Sequence, residues 1–180
     1  MRKFLALALA WALCLAVPAY AESVTGPTPT TVGTSLPGQV AATATNDDAA
    51  AGKVGEYIES VVLFASPTSI PTSGVEANVT SISLTAGDWD VWGNVVTVPA
   101  GATTTTQTVS GISTTSATLP DVSARWFNTI SFAAGTNASA PPPSRRLSLS
   151  GTTTVYLVGR ANFSVSTMGM CGFIAARRVR

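Results

Sequence analysis

The sequence has 180 residues, of which 10 are Lys or Arg and 9 are Asp or Glu, and it contains no histidine. Charged residues make up 11% of the chain, whereas soluble domains usually carry about 25%. This charge balance argues against a nucleic-acid-binding protein, and the lack of histidine excludes imidazole as a general base or zinc ligand. The composition therefore predicts a chain with no catalytic residues, no cofactor and no metal site.

The first 21 residues have the pattern of a secretory signal peptide: a basic start, an apolar run and small residues at Ala19 and Ala21. The apolar run of residues 4–17 is shorter than the roughly 20 residues that span a bilayer, so we expect no stable membrane span after cleavage. Cys14 lacks the small neighbours that lipid modification needs. We therefore expect residues 1–21 to be removed and the mature chain to be secreted, periplasmic or at the cell surface.

Residues 22–52 are rich in Thr, Pro, Gly and Ala and have no hydrophobic period, which predicts a flexible linker or stalk. Cleavage would leave Cys171 as the single cysteine, so we expect no intrachain disulfide and a buried, small apolar role for Cys171. Arg177, Arg178 and Arg180 make the last residues basic. These arginines either contact phosphate or lipopolysaccharide or, as we prefer, form exposed or inter-subunit ion pairs.

Residues 53–180 are a succession of short β-patterned runs separated by clusters of Gly, Pro, Asn and Ser, and no segment has a convincing helical period. The runs predicted as strands are 54–64, 78–84, 89–98, 105–112, 128–132, 146–150, 153–163 and 172–179. Eight such strands predict an all-β domain with a jelly-roll β-sandwich fold.

One predicted strand and one segment between strands allow finer predictions. In residues 153–163 the set from Val155 to Phe163 alternates with a second set from Tyr156 to Asn162, so one face of this strand should lie in the core. Residues 138–144 include three consecutive prolines, which cannot donate ladder hydrogen bonds. We therefore expect residues 138–144 to be a surface loop.

The third predicted strand changes its hydrophobic parity around Gly93. Trp89 and Val91 precede this glycine in one register, whereas Val96 and Val98 follow it in the other. A β-bulge or bend at Gly93 would reconcile the two registers.

Asp88 and Asp90 flank Trp89, so both carboxylates should project from one side of a strand. Such a pair suits a calcium site or an acid/base pair. We favour structural roles, in which one carboxylate caps the turn at Gly87 and the other lies on a solvated or subunit face.

Trp89, Trp92 and Trp126 raise the alternative of a sugar-binding platform. Because Trp89 and Trp92 are three positions apart, they should point to opposite faces of a regular strand. One is then a core residue and the other an interface or surface residue. The candidate ligand-binding residues are therefore Trp92, Trp126, Asp88 and Asp90.

Four stretches, 49–60, 79–95, 111–121 and 147–180, resemble the C-terminal domain of bacteriophage and prophage tail-fibre or spike-like proteins. The segment Gly87-Asp88-Trp89-Asp90-Val91 with Gly93-Asn94-Val95 is similar to the central strand of a C1q/TNF-like jelly roll. The resemblance implies a homotrimer that ends a stalk. It implies no catalytic or ligand-binding residues.

We therefore expect a non-enzymatic trimeric β domain that recognises a cell-surface receptor or glycan through loops 65–75, 99–104 and 133–145. It would be a virion component if the chain is a true phage protein, although the signal peptide departs from that pattern. The alternative is a secreted bacterial carbohydrate-binding or adhesin module. A third hypothesis, a hydrolase using Asp88 and Asp90, predicts that Asp→Asn substitutions abolish activity.

Overall fold

The structure is a computed structural model that describes residues 48–165 and 167–180. The predicted signal peptide and most of the predicted linker lie outside the described residues. The described chain contains a short 3-10 helix at Val122–Ala124 and ten strands. The strands are β1 (Tyr57–Val62), β2 (Thr68–Ile70), β3 (Ala77–Leu84), β4 (Gly87–Pro99), β5 (Thr104–Ser113), β6 (Arg125–Asn128), β7 (Ala138–Ala140), β8 (Arg145–Leu149), β9 (Thr153–Ser164) and β10 (Met168–Arg178).

The strands form two antiparallel sheets that pack as a sandwich. In the first sheet β4 and β10 are central, β1 and β2 follow one another along the outer edge of β10, and β7 and β8 do the same along β4. The second sheet has the order β3-β9-β5-β6. With each split edge counted as one strand, this is the strand order of a jelly roll, which confirms the predicted fold class.

Different connections lie at the two ends of the sandwich, which we call the near end and the far end. At the near end, where β10 finishes, the amide of Gly55 donates to the Arg178 carbonyl over 2.9 Å, and residues 85–86 connect β3 to β4. At the far end, residues 71–76, 100–103 and 129–137 connect the strands. These loops contact one another, since the amide of Gly135 donates to the Thr103 carbonyl over 3.0 Å.

The core lies between the two sheets and is built from alternate side chains of each strand. Trp89, which is fully buried, is its largest side chain. The predicted alternation of β9 is confirmed, because Val155, Leu157 and Ala161 belong to this core. Val158 faces the other way and packs against Leu119 on the outer face of the second sheet.

The prediction of a β-bulge or bend at Gly93 is wrong. Residues 89–99 of β4 pair with β10 without a register shift, so Trp89, Val91, Val95 and Thr97 all face the core. The prediction failed because the outward-facing Val96 and Val98 are also apolar. Glycine is present at position 93 because the backbone of β10 lies too close for a side chain: a Cβ there would lie 2.5 Å from the Phe173 carbonyl oxygen.

Two edge strands replace segments that were predicted as turn or loop. Residues 138–140 form β7, and Ala138 and Ala140 are buried because they face the core opposite Thr97 and Val95. The prolines that follow are outside the strand, so the loop prediction was wrong for the three residues before them. β2 was missed because three residues carry too little pattern, and β6 begins before the predicted run at 128.

Gly172 on β10 lies close against the backbone of the neighbouring central strand, β4. Its φ is +140°, and a Cβ there would overlap the carbonyl oxygen of Asn94 on β4. We expect Gly172→Ala to lower the free energy of unfolding by about 3 kcal/mol, because the strained backbone and the clash add. Gly101→Ala is the control, since no atom lies within 4 Å of the added Cβ. If the two variants had equal urea midpoints, the close contact between Gly172 and the Asn94 carbonyl would be contradicted.

Candidate functional site

Strand β4 brings three of the four candidate residues to one surface. Asp88, Asp90 and Trp92 alternate with the buried Trp89, so they project from the outer face of the first sheet. This confirms that Trp89 and Trp92 point to opposite sides. Trp126 does not join them, because it lies on β6 of the second sheet and packs half-buried against the core.

The strand register defines the rest of this surface, which we call the β4 face. Residues paired directly across antiparallel strands project to the same side. The β4 face comprises Tyr57, Glu59, Val61, Asp88, Asp90, Trp92, Asn94, Val96, Val98, Arg146, Cys171, Phe173, Ala175 and Arg177, with Arg180 at its end.

Aromatic rings occupy the middle of the β4 face. The rings of Trp92 and Tyr57 have centroids 6.1 Å apart and an interplanar angle of 42°. Ala175, on the strand between them, is fully buried although it points outward. Burial and the neighbouring Glu59 carboxylate raise the pKa of Tyr57. The centre of the face is therefore apolar and, apart from the buried Ala175, half-buried.

Small apolar residues continue the β4 face toward the far end. Val96 and Val98 are half-buried, and Val61 on β1 is 53% exposed. Cys171 is 4% exposed, and burial raises the pKa of its thiol, which confirms the predicted buried role. Solvent-facing strand positions of a sheet are usually polar, so this apolar run is unusual for a surface that stays in water.

Ion pairs hold the two candidate carboxylates at the near end. Asp88 accepts from Arg180 Nε at 2.7 Å, and its pKa is lowered first by the hydrogen bond from Ser148 and then by Arg180. Asp90 accepts from Arg146 through both oxygens. Over the described ranges, no group of three acidic, Cys or His side chains is placed to hold a metal ion. The geometry therefore gives these carboxylates a charge-pairing role.

Arg178 does not lie on the surface with its neighbours, which corrects the prediction of three exposed terminal arginines. It is 5% exposed, and its Nε donates to Glu56 Oε2 over 2.9 Å. Its guanidinium lies 4.3 Å from the Trp89 ring centroid and also donates to the Ala86 carbonyl. The partner Glu56 is 122 residues earlier in the chain, so no local pattern could reveal the pair.

Part of the outer face of the second sheet is covered by the chain itself, although Phe127, directly opposite Val109, is 50% exposed. Residues 114–120, which we call the strap, cross this face and place Leu119 against Val109 and Val158. The Leu119 amide donates to Glu76 Oε2 over 2.8 Å, and the Ala117 amide donates to Asn78 Oδ1 over 2.7 Å. The β4 face has no comparable cover among the described residues. Sequence reasoning missed this difference because the strap has no periodic pattern.

A shallow hollow lies at the far end, beside two of the loops that the sequence singled out. Its volume is about 270 Å³, and it is lined by Pro67, Ser69, Val98, Pro99, Thr167 and Gly169 among others. No charged residue occurs in 61–75, 91–120, 127–144 or 161–176. Apart from Glu76 at the end of the first of them, the far-end loops therefore carry no charged residue.

Within the described part of the chain, no helix is long and apolar enough to cross a membrane.

No family model and no curated protein matches this chain. Two solved structures from infectious bursal disease virus are similar to it. The virus of the Gx strain matches with 15% identity and a TM-score of 0.41, over 68% of this chain and 32% of that chain. The VP2 subviral particle matches with 11% identity and a TM-score of 0.43, over 78% and 37%. The chain thus spans about a third of the length of either viral chain.

The Glu56–Arg178 pair makes folding stability depend on pH. Burial raises the pKa of Glu56, but hydrogen bonds from Arg178 and the Gly52 amide outweigh it, so the pKa lies below its ordinary value of 4.5. A lowered pKa contributes stability that is present above the unfolded value and is lost as pH falls through the folded one.

We therefore expect Glu56→Gln to cost on the order of 3 kcal/mol at pH 7, and to cost less as the pH falls through the lowered pKa of the folded carboxyl. Urea unfolding of both proteins in a series of buffers from pH 7 downward through the acid range measures this difference. A cost that stays constant over the whole series would rule out the charged pair as its source.

Proposed function

We propose that this chain is a non-enzymatic structural and receptor-binding β domain, like those at the tips of phage fibres. In this proposal it acts as a homotrimer through the β4 face and recognises a cell-surface ligand through its far-end loops. It would work outside the cytoplasm or, in a virion, at the particle surface. The observation that carries the proposal is the uncovered aromatic and apolar centre of the β4 face.

The contrast between the two outer faces supports association through the β4 face. On the second sheet the strap covers part of the outer face, with Leu119 packed against Val109 and Val158. On the first sheet the apolar residues of the β4 face, including Trp92, Phe173 and Val96, keep part of their surface exposed. An apolar patch with a polar rim is typical of a protein–protein interface. The resemblance of four sequence stretches to fibre domains favours three copies around one axis.

The arrangement of the two ends supports recognition at the far end. The described chain begins at the near end, where Gly55 and Glu56 are fastened to Arg178. The far-end loops lie at the end of the sandwich opposite Gly55 and Glu56. Since residues 71–75, 100–103 and 129–137 and the residues that line the hollow carry no charge, the expected ligand is recognised by shape and hydrogen bonding and not by charge attraction.

The mass of the protein in solution tests the trimer. We expect light scattering on a sizing column to give three times the chain mass for the wild type. Trp92→Glu should give the mass of one chain, because it places a charge in the centre of the proposed interface. Ser83→Glu, on the exposed outer side of β3, should remain trimeric. Circular dichroism checks that each variant is folded, and a wild type with the mass of one chain would refute the proposal.

A second function is favoured by one specific observation. Trp92 lies beside Tyr57 with Asp90 and Asn94 on either side of it along β4. An aromatic surface flanked by polar groups can stack on a sugar ring and bond its hydroxyls. If the chain is a monomer, this surface is free, and a secreted carbohydrate-binding or adhesin module becomes the better explanation.

Glycan binding tests this alternative. If it is right, the wild type binds members of a glycan panel, and Trp92→Ala abolishes that binding while the fold survives. Phe127→Ala is the matched control, because Phe127 is an aromatic residue that is 50% exposed on the second sheet. Trp126→Ala is a poorer variant, because Trp126 packs against the core and its loss should destabilise the domain. Glycan binding by both alanine variants alike would exclude a site at Trp92.

A further inference from the structure

The charged side chains on and beside the β4 face balance one another. Three carboxylates, from Glu59, Asp88 and Asp90, face three guanidinium groups. The arginines are Arg146, Arg177 and Arg180. A partner surface of one sign would be repelled by half of these groups, whereas a second copy of the same face can satisfy all of them. The charge pattern thus fits association of this chain with itself.

Four of these six charged groups form ion pairs within one chain, and the other two do not. Arg146 donates to both oxygens of Asp90, and Arg180 donates to Asp88. Among the described residues, neither Glu59 nor Arg177 takes part in an ion pair. Both side chains are exposed. Within the chain, Glu59 is hydrogen-bonded to Tyr57, and Arg177 is directly opposite Asp90, which is already paired with Arg146. Neither side chain therefore has an ion-pair partner of its own among the described residues.

Glu59 and Arg177 flank the aromatic centre of the β4 face. Arg177 is directly opposite Tyr57 in the register of β1 and β10, and Glu59 is directly opposite Ala175. Ala175 is in turn opposite Trp92. Any surface that covers Trp92 must therefore meet this unpaired acid and this unpaired base at the same time.

We propose that Glu59 of one copy pairs with Arg177 of the next, and that this pair fixes the orientation of the copies around the β4 face. The inference rests on the proposed trimer and names the residues that select its partner. The apolar centre supplies contact area without direction, because burial of apolar surface is non-directional. Charges at the margin of such a centre exclude wrong orientations, since like charges brought together are costly.

Charge reversal tests the pair. We expect Glu59→Arg and Arg177→Glu each to raise the concentration at which the trimer dissociates by at least about tenfold, since each brings like charges together. The double variant carrying both substitutions should recover most of this loss, because it restores one acid and one base at each contact. Dilution followed by light scattering measures the three proteins. Ser83→Arg, on the outer side of the second sheet, is the matched control for an added charge.

The outcomes separate this inference from the proposed function. A monomeric wild type overturns both. A trimeric wild type whose dissociation neither single reversal changes overturns the pair and leaves the trimer standing. Two weakened single variants that the double variant does not rescue also overturn the pair, because each residue then acts through something else. Glu59 and Arg177 are also diagonal neighbours on β1 and β10 of one chain, so the same substitutions are made in the monomeric Trp92→Glu chain. Rescue in the double variant supports the pair if Ser83→Arg changes nothing and the reversals leave the unfolding free energy of the Trp92→Glu chain unchanged, whereas the same rescue of unfolding in that chain overturns it.

Discussion

The buried ion pair between Arg178 and Glu56 is the constraint on which the near end of the sandwich depends. It joins the segment before β1 to the last strand, and it lies against the Trp89 ring. Gly87 is required beside it, because a Cβ there would overlap the guanidinium. Arg178 is directly opposite Trp89 in the register of β4 and β10, and both side chains face inward. The outward positions of Asp88, Asp90 and Trp92 follow from that register.

Local pattern was enough to predict the long strands, and it failed where a tertiary partner decided the outcome. Alternation in β9 was read correctly because its core side chains are apolar and its outward neighbours include Arg160 and Asn162. β4 misled the same reasoning, since Val95 and Val96 are both apolar and parity then depends on which of them a second sheet covers. The burial of Arg178 depends on Glu56, far earlier in the chain. The grouping of Asp88, Asp90 and Trp92 was predictable from spacing, whereas their pairing with Arg146 and Arg180 was not.

The two sheets solve the same problem differently. Each has apolar residues on its outer side, and water makes such a surface costly. The second sheet covers Val109 and Val158 with its own strap, tied down by Glu76 and Asn78. The first sheet leaves Trp92 and its neighbours open. This asymmetry is the basis on which we propose that copies of the domain associate through the β4 face.

The broken edges of the first sheet limit how copies of this domain can grow into larger assemblies. One edge is divided between β1 and β2, and the other between β7 and β8. Pro67 precedes β2, and three prolines, Pro141–Pro143, separate β7 from β8. A long, continuous strand edge would template the addition of further strands without end, as in a fibril. These interruptions leave the first sheet without a long, continuous edge to which a further strand could be added.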